Sequence, residues 1–182
     1  GEGIWSKVYA EGENILAAPI QLFLDGKPVR AGKIKLISAE KDRVVYEMTS
    51  QAGKVKFVLN QDYDYDGFCK LSVKVIPQGK VNVKSFELRV PVKDKYAKYF
   101  TTLHSNRHRA QGKPDFSVPA GQGELDMSAG RLEKGRVLNY VWIGEEYKGI
   151  SWIIDSQKGF SVDKKSYPHK LIRKGDVVTY VQ

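Results

Sequence analysis

The segment Arg136-Val-Leu-Asn-Tyr-Val-Trp142-Ile-Gly144-Glu-Glu-Tyr-Lys-Gly149-Ile-Ser-Trp152-Ile-Ile-Asp155-Ser-Gln-Lys-Gly159-Phe160 carries the clearest structural signature of the chain. Two runs of β-branched and aromatic residues flank a polar connection bounded by glycines, which is the pattern of a β-hairpin. A strand's period of two groups Leu138, Tyr140 and Trp142 on one row, and Ile150, Trp152 and Ile154 on one row of the return strand. With the hairpin registered about Gly144 and Gly149 these rows are expected to meet, so that Trp142 and Trp152 stack across strands or sit diagonally. Val137, Val141, Ile143 and Ile153 make the opposite rows apolar too. Such a hairpin is expected in the middle of a sandwich, buried on most of both faces. Aromatic rows on a sheet serve either as core or as a sugar platform. The reading taken here is core: Trp142 and Trp152 are expected to be buried on adjacent antiparallel strands, with Glu145 and Glu146 as solvated turn acids.

Outward from the hairpin the same style recurs. Residues 4–9, 17–24, 33–38, 43–49, 54–60, 69–76 and 83–92 read as strands, with Gly, Pro or Asp/Asn punctuation between them. Leu71, Val73 and Val75 fall on one face, and Phe86, Leu88 and Val90 on another. Asp25-Gly26-Lys27-Pro28 is a strong turn signal. No window carries a helical stripe of ten or more residues, and a short helical turn fits only near Lys93–Tyr99. The pattern predicts an all-β chain, an antiparallel two-sheet β-sandwich with little or no helix, spanning residues 1–182 as one domain. Residues 105–135 break the periodicity and read as a long polar loop of the kind that carries function or packs on a neighbour.

Composition sets the outer limits. Hydrophobic residues make up 41% and charged residues 28%, which suits a globular domain with its own core. No apolar run reaches the roughly 20 residues of a membrane span. Cys69 is the single cysteine, so neither an intrachain disulfide nor a multi-cysteine zinc site is possible. The net charge of +9 hints at anionic partners, but lysines spread through strands read first as a solvated face. The cations fall into two sequence groups, Lys93, Lys95, Lys98, Arg107, Arg109, Lys113 and Lys164, Lys165, Lys170, Arg173, Lys174. No base-reading motif accompanies them, so nucleic acid is not expected. The opening Gly1-Glu2-Gly3 reads as a processed or engineered start, and the end at Gln182 inside a strand pattern reads as a piece of a longer multidomain chain.

The chemical motifs are weak. Asp62-Tyr-Asp64-Tyr-Asp66-Gly67 matches the first half of a calcium loop, but Val73 stands where the bidentate Glu belongs. It reads better as a strand end whose aspartates face water while Tyr63 and Tyr65 pack. His104 and His108 have a zinc-compatible spacing without the metalloprotease Glu, and all three histidines are expected on basic loop. No Gly-x-Ser-x-Gly occurs, Cys69 sits in an alternating strand, and there is no phosphate-binding glycine loop. No catalytic residue, metal or cofactor is expected in this chain.

Tyr65-Asp66-Gly67, Leu71-Ser-Val-Lys-Val-Ile-Pro77, Leu88-Arg-Val-Pro91, Tyr96-Ala97-Lys98 and His104, followed by Trp142-Ile-Gly144-Glu145-x-x-x-Gly149-Ile-x-Trp152 and Ser156-x-x-Gly159-Phe160, resemble the amino-terminal β-sandwich of glycoside hydrolase family 123-like proteins. The order holds over residues 20–182. The resemblance implies a sandwich preceding a (β/α)₈ barrel in secreted or periplasmic bacterial enzymes that act on N-acetylgalactosaminide-type glycans. The family's catalytic Asp-Glu dipeptide belongs to the barrel and does not occur here, so no catalytic residue is carried over. Two functional expectations follow. The first is a non-catalytic module whose partner is the catalytic domain of the same polypeptide. The second is a free-standing carbohydrate-binding module, with Trp5, Tyr96, Tyr99, Tyr147 and Tyr167 as its exposed aromatics; the basic groups would turn its preference to sulfated or sialylated glycans.

Overall fold

The computed structural model describes residues 3–103, 116–126, 134–135, 137–156 and 160–182. The fold is all-β with several antiparallel sheets, as the sandwich expectation requires, and its helix among the described residues is one 3₁₀ turn at Asp94–Tyr96. No helix among these residues is long and apolar enough to cross a membrane. The chain divides into two compact units, Gly1–Ile4 with Gln21–Glu87, and Trp5–Ile20 with Leu88–Gln182. The amino-terminal hairpin, β1 (Tyr9–Ala10) and β2 (Glu13–Asn14), belongs to the second unit.

The first unit starts with β3 (Gln21–Leu24) and β4 (Lys27–Pro28), joined through Asp25 and Gly26. Both turn residues have positive φ, 50° and 73°, the type I′ geometry for which Asp-Gly is suited. Asp25 also accepts hydrogen bonds from the Lys84 and Ser85 amides at 2.7 and 3.0 Å, tying the turn to the far end of the unit. A meander follows: β5 (Lys33–Ala39), β6 (Arg43–Ala52), β7 (Val55–Asp64) and β8 (Cys69–Pro77), paired in that order. Alternation sorts its faces. Met48, Ser50, Val55, Phe57, Leu59 and Gln61 are buried on one row set, and Phe86 stacks on Phe57 with ring centroids 5.6 Å apart. The opposite rows carry Lys33, Lys35, Lys56, Lys70 and Lys74, interspersed with Glu47 and Asp62. Much of the basic surplus is therefore a solvated sheet face.

The second unit contains β9 (Phe86–Lys93, apart from its first two residues), β10 (Tyr99–Leu103), β11 (Phe116–Ser117), β12 (Gly123–Glu124), β13 (Tyr140–Gly144), β14 (Gly149–Ile153), β15 (Lys170–Lys174) and β16 (Val177–Val181). One sheet has the order β11-β10-β13-β14, and the other runs β12-β15-β16-β9. Phe100, Val141 and Ile143 supply the buried rows of the first sheet. Leu88, Val90, Val92, Leu171, Val178 and Tyr180 supply those of the second. The segment Ile15–Ala17 lies along β9 through the pairs Ala17 N–H to Pro91 O (2.9 Å) and Lys93 N–H to Ile15 O (3.0 Å), which buries Ile15 and Leu16.

The hairpin expected from the sequence is present, and Gly144 does pair with Gly149. That register corrects the expected rows. The two positions sum to an odd number, so Trp142 faces Ser151, and Trp152 faces Val141. Trp142 and Trp152 thus lie on opposite faces of adjacent strands. Neither is fully buried, and β14 is an edge strand with Ser151 and Ile153 exposed. The central-hairpin expectation holds for β13 alone. Residues 4–9, expected as a strand, contribute a single bridge from Trp5 to Ile20 before β1. Most of the long polar segment, with His104, His108, Arg107, Arg109 and Lys113, lies outside the described residues.

Candidate functional site

The face of β11-β10-β13-β14 turned away from the core is the surface with the most distinct local chemistry. Gly144 and Gly149 stand opposite each other, and the Trp142 side chain occupies the space their side chains would fill. A Cβ on Gly144 would sit 2.3 Å from Trp142 Cζ2, and one on Gly149 would sit 2.6 Å from Nε1. Glycine is needed at both positions for close approach, since any side chain there displaces the indole. Thr101 faces Trp142 from β10, Tyr99 faces Gly144, and Tyr140 lies two residues back along β13. The Tyr140 hydroxyl and Ser151 Oγ are 3.3 Å apart at the exposed margin.

The five aromatic residues expected to bind ligand do not share one face. Tyr96 is a correction: it is 5% exposed, and its hydroxyl donates to the Glu13 carboxylate. Trp5 is half-buried and packs edge-to-face on Trp152, with centroids 6.2 Å apart. Tyr99 is half-buried on the outer row just described. Tyr147 projects from the hairpin tip, 80% exposed. Tyr167 is half-buried with Lys134 Nζ 5.5 Å from its ring centroid. Tyr65, expected to pack, is also exposed. Of this group Tyr99 stands on the rows around Trp142, a residue that the sequence pattern assigns to the core.

Ion pairs occupy several of the sequence-clustered cations. Glu13 receives Lys95 and Lys148, each at 3.1 Å, and these two ammonium groups hold its carboxyl below the usual range while Glu13 raises the Lys148 ammonium. Lys93 donates to Asn14 O, Lys170 pairs with Glu124, and Arg173 turns inward to Asp94 and the Pro119 carbonyl. The Asp62–Asp66 segment is likewise committed to structure. Arg43 bridges both oxygens of Asp62 at 2.7 and 2.6 Å and keeps that carboxyl ionised below its ordinary range. Asp64 and Asp66 cap the Tyr65 and Phe68 amides at 2.8 Å. No group of three potential metal ligands occurs among the described residues.

His169 also departs from the expected basic loop. It is not on a loop surface but 1% exposed. Nε2 accepts from the Leu138 amide at 2.7 Å, so the neutral ring carries its proton on Nδ1 and donates it toward the Tyr180 hydroxyl 2.6 Å away. Burial lowers the imidazole to about 4 and raises the Tyr180 phenol above its ordinary value. The available signal was Tyr167-Pro168-His169, which leads directly into the alternating β15. Cys69, half-buried on β8, has its thiol pushed up to about 11, mainly by burial.

Neither the curated proteins nor the solved structures contain a match. A family model described as glycoside hydrolase 123, third domain, matches residues 4–170, which takes in both units. The family is the one the ordered motifs resemble, although the matching domain is the third and not the amino-terminal one. The chain belongs to the glycoside hydrolase 123 third-domain family.

Proposed function

We propose that the chain is a non-catalytic β-sandwich module of a larger bacterial, exported glycoside hydrolase acting on N-acetylgalactosaminide-type glycans. In that protein it packs against and supports the catalytic barrel. The observation that carries this reading is the family match, whose description is of a domain that has others beside it. The match runs across both units, which supports treating them as one domain.

The carboxylates add a chemical argument. A glycosidase needs one carboxyl held protonated, with its pKa raised by burial or by a like charge. Glu13, Asp25 and Asp62 are shifted the other way, by lysines, backbone amides and Arg43 respectively. Asp94 and Glu124 are held in ion pairs with Arg173 and Lys170. These acids act as structural anions. The test is incubation of the 182-residue chain with a chromogenic N-acetyl-β-galactosaminide. No turnover above buffer is expected, and enzyme-dependent release of the aglycone that scales with chain concentration would overturn the proposal.

A further inference from the structure

We infer that the outer face of β11-β10-β13-β14 is a binding platform for a neutral pyranose residue of a glycan, with Trp142 as its floor. The inference does not require the packing role proposed above, because a module can hold sugar whether or not it also supports a barrel.

The first support is the glycine seat. Trp142 Cζ2 and Cε2 lie 2.3 and 2.8 Å from the Cβ position of Gly144, and Nε1 and Cε2 lie 2.6 and 2.7 Å from that of Gly149. One ring thus covers both glycines, and Trp142 remains only partly buried. A flat, fixed indole offers apolar area at little entropic cost, and the C–H face of a pyranose is its natural complement.

The second support is the hydroxyl margin. Tyr140 OH and Ser151 Oγ stand 3.3 Å apart on one side of the indole, positioned to exchange hydrogen bonds with sugar hydroxyls. Trp142 Nε1, which lies over Gly149, brings an indole N–H donor to the same surface. Apolar floor with a few polar groups at its edge is the usual composition of a small-molecule site.

The third support is charge. No acidic or basic residue stands on these rows, which hold Tyr99, Thr101, Tyr140, Trp142, Ser151 and Ile153, in a chain of net charge +9. Among the described residues the rows themselves carry no cation, so the platform suits a neutral sugar better than a sulfate or sialate.

The experiment is a titration of the 182-residue chain, followed by indole N–H signals in ¹⁵N-edited NMR. One probe is an N-acetylgalactosamine-terminated disaccharide, whose choice follows the proposed function; a neutral hexose disaccharide is the second and a sulfated disaccharide the third. Saturable shifts of the Trp142 indole with either neutral probe are expected, unaffected by 0.3 M salt. Binding of the hexose alone keeps the platform and counts against the N-acetylgalactosaminide reading of the parent enzyme. Trp142→Ala should weaken binding by more than about 10-fold, and Tyr140→Phe and Ser151→Ala by about 5-fold each, which are losses of one packing surface and of single neutral hydrogen bonds. The two edge variants leave the glycine seat intact, so they remain informative should Trp142→Ala fail to fold. No shift at millimolar neutral sugar, full affinity in all variants, or preference for the sulfated probe lost in salt would each overturn the inference.

Discussion

His169 is held between the Leu138 amide and the Tyr180 hydroxyl, and its protonation would place a charge in the core of the second unit. Its folded-state pKa of about 4 lies below the ordinary 6.5. The unfolded chain therefore takes up a proton below pH 6.5 that the folded chain refuses. Stability from this group is complete above pH 6.5 and falls as pH drops toward 4, by up to roughly 3 kcal/mol. The carboxyls of Glu13, Asp25 and Asp62 are depressed instead, so their contributions fade only below the ordinary carboxylate range. Urea midpoints between pH 7.5 and 4.5 should decline in the wild type and much less in His169→Gln; parallel slopes would show that another group is responsible. Cys69 allows a second residue-scale test. With its thiol near 11, the native thiolate fraction at pH 8 is about 100-fold below that of an ordinary cysteine. Iodoacetamide should label the native chain at least ~100-fold more slowly than the urea-unfolded chain, and equal rates would contradict the burial.

At the scale of elements, the β13–β14 hairpin separates what the sequence reveals from what it hides. Its strands, turn and glycine register were legible, because period-two alternation and Gly punctuation are local signals. The facing of Trp142 and Trp152 follows from parity once Gly144 and Gly149 are paired, and the expected rows violated that parity. Edge position was not legible, since strand order depends on pairing with distant β10. Likewise the exposed aromatics could not be told from buried ones: Tyr96 is drawn in by Glu13, 83 residues away in sequence. The energetics follow the corrected geometry. Half-buried Trp142 should cost about 1–3 kcal/mol on truncation to Ala, whereas fully buried Phe100 should cost about 3–5 kcal/mol. Gly149→Ala meets both the indole and the Ile143 carbonyl, at 2.6 and 2.8 Å. It should destabilise by about 2 kcal/mol, and by clearly less in a Trp142→Ala background where the ring has gone. Strict additivity in chemical denaturation would mean that the indole does not occupy the glycine seat.

For the whole molecule, composition and alternation were enough for the all-β class, because antiparallel sheets with one buried face impose a pattern that survives in a single sequence. The division into two compact units left no such mark, since strands of the same style lie on both sides and Trp5–Ile20 joins the later unit across 67 residues of the earlier one. Among the described residues, lysines on the outer rows of the β5–β8 meander alternate with acids, and several cations of the second unit are neutralised in ion pairs. The proposed support of a neighbouring catalytic domain is tested most directly by calorimetric unfolding of the parent polypeptide with and without residues 4–170. Removal of a packed neighbour should lower the catalytic domain's transition by about 5 °C or more. An unchanged transition temperature, with full hydrolytic activity retained by the truncated enzyme, would contradict it.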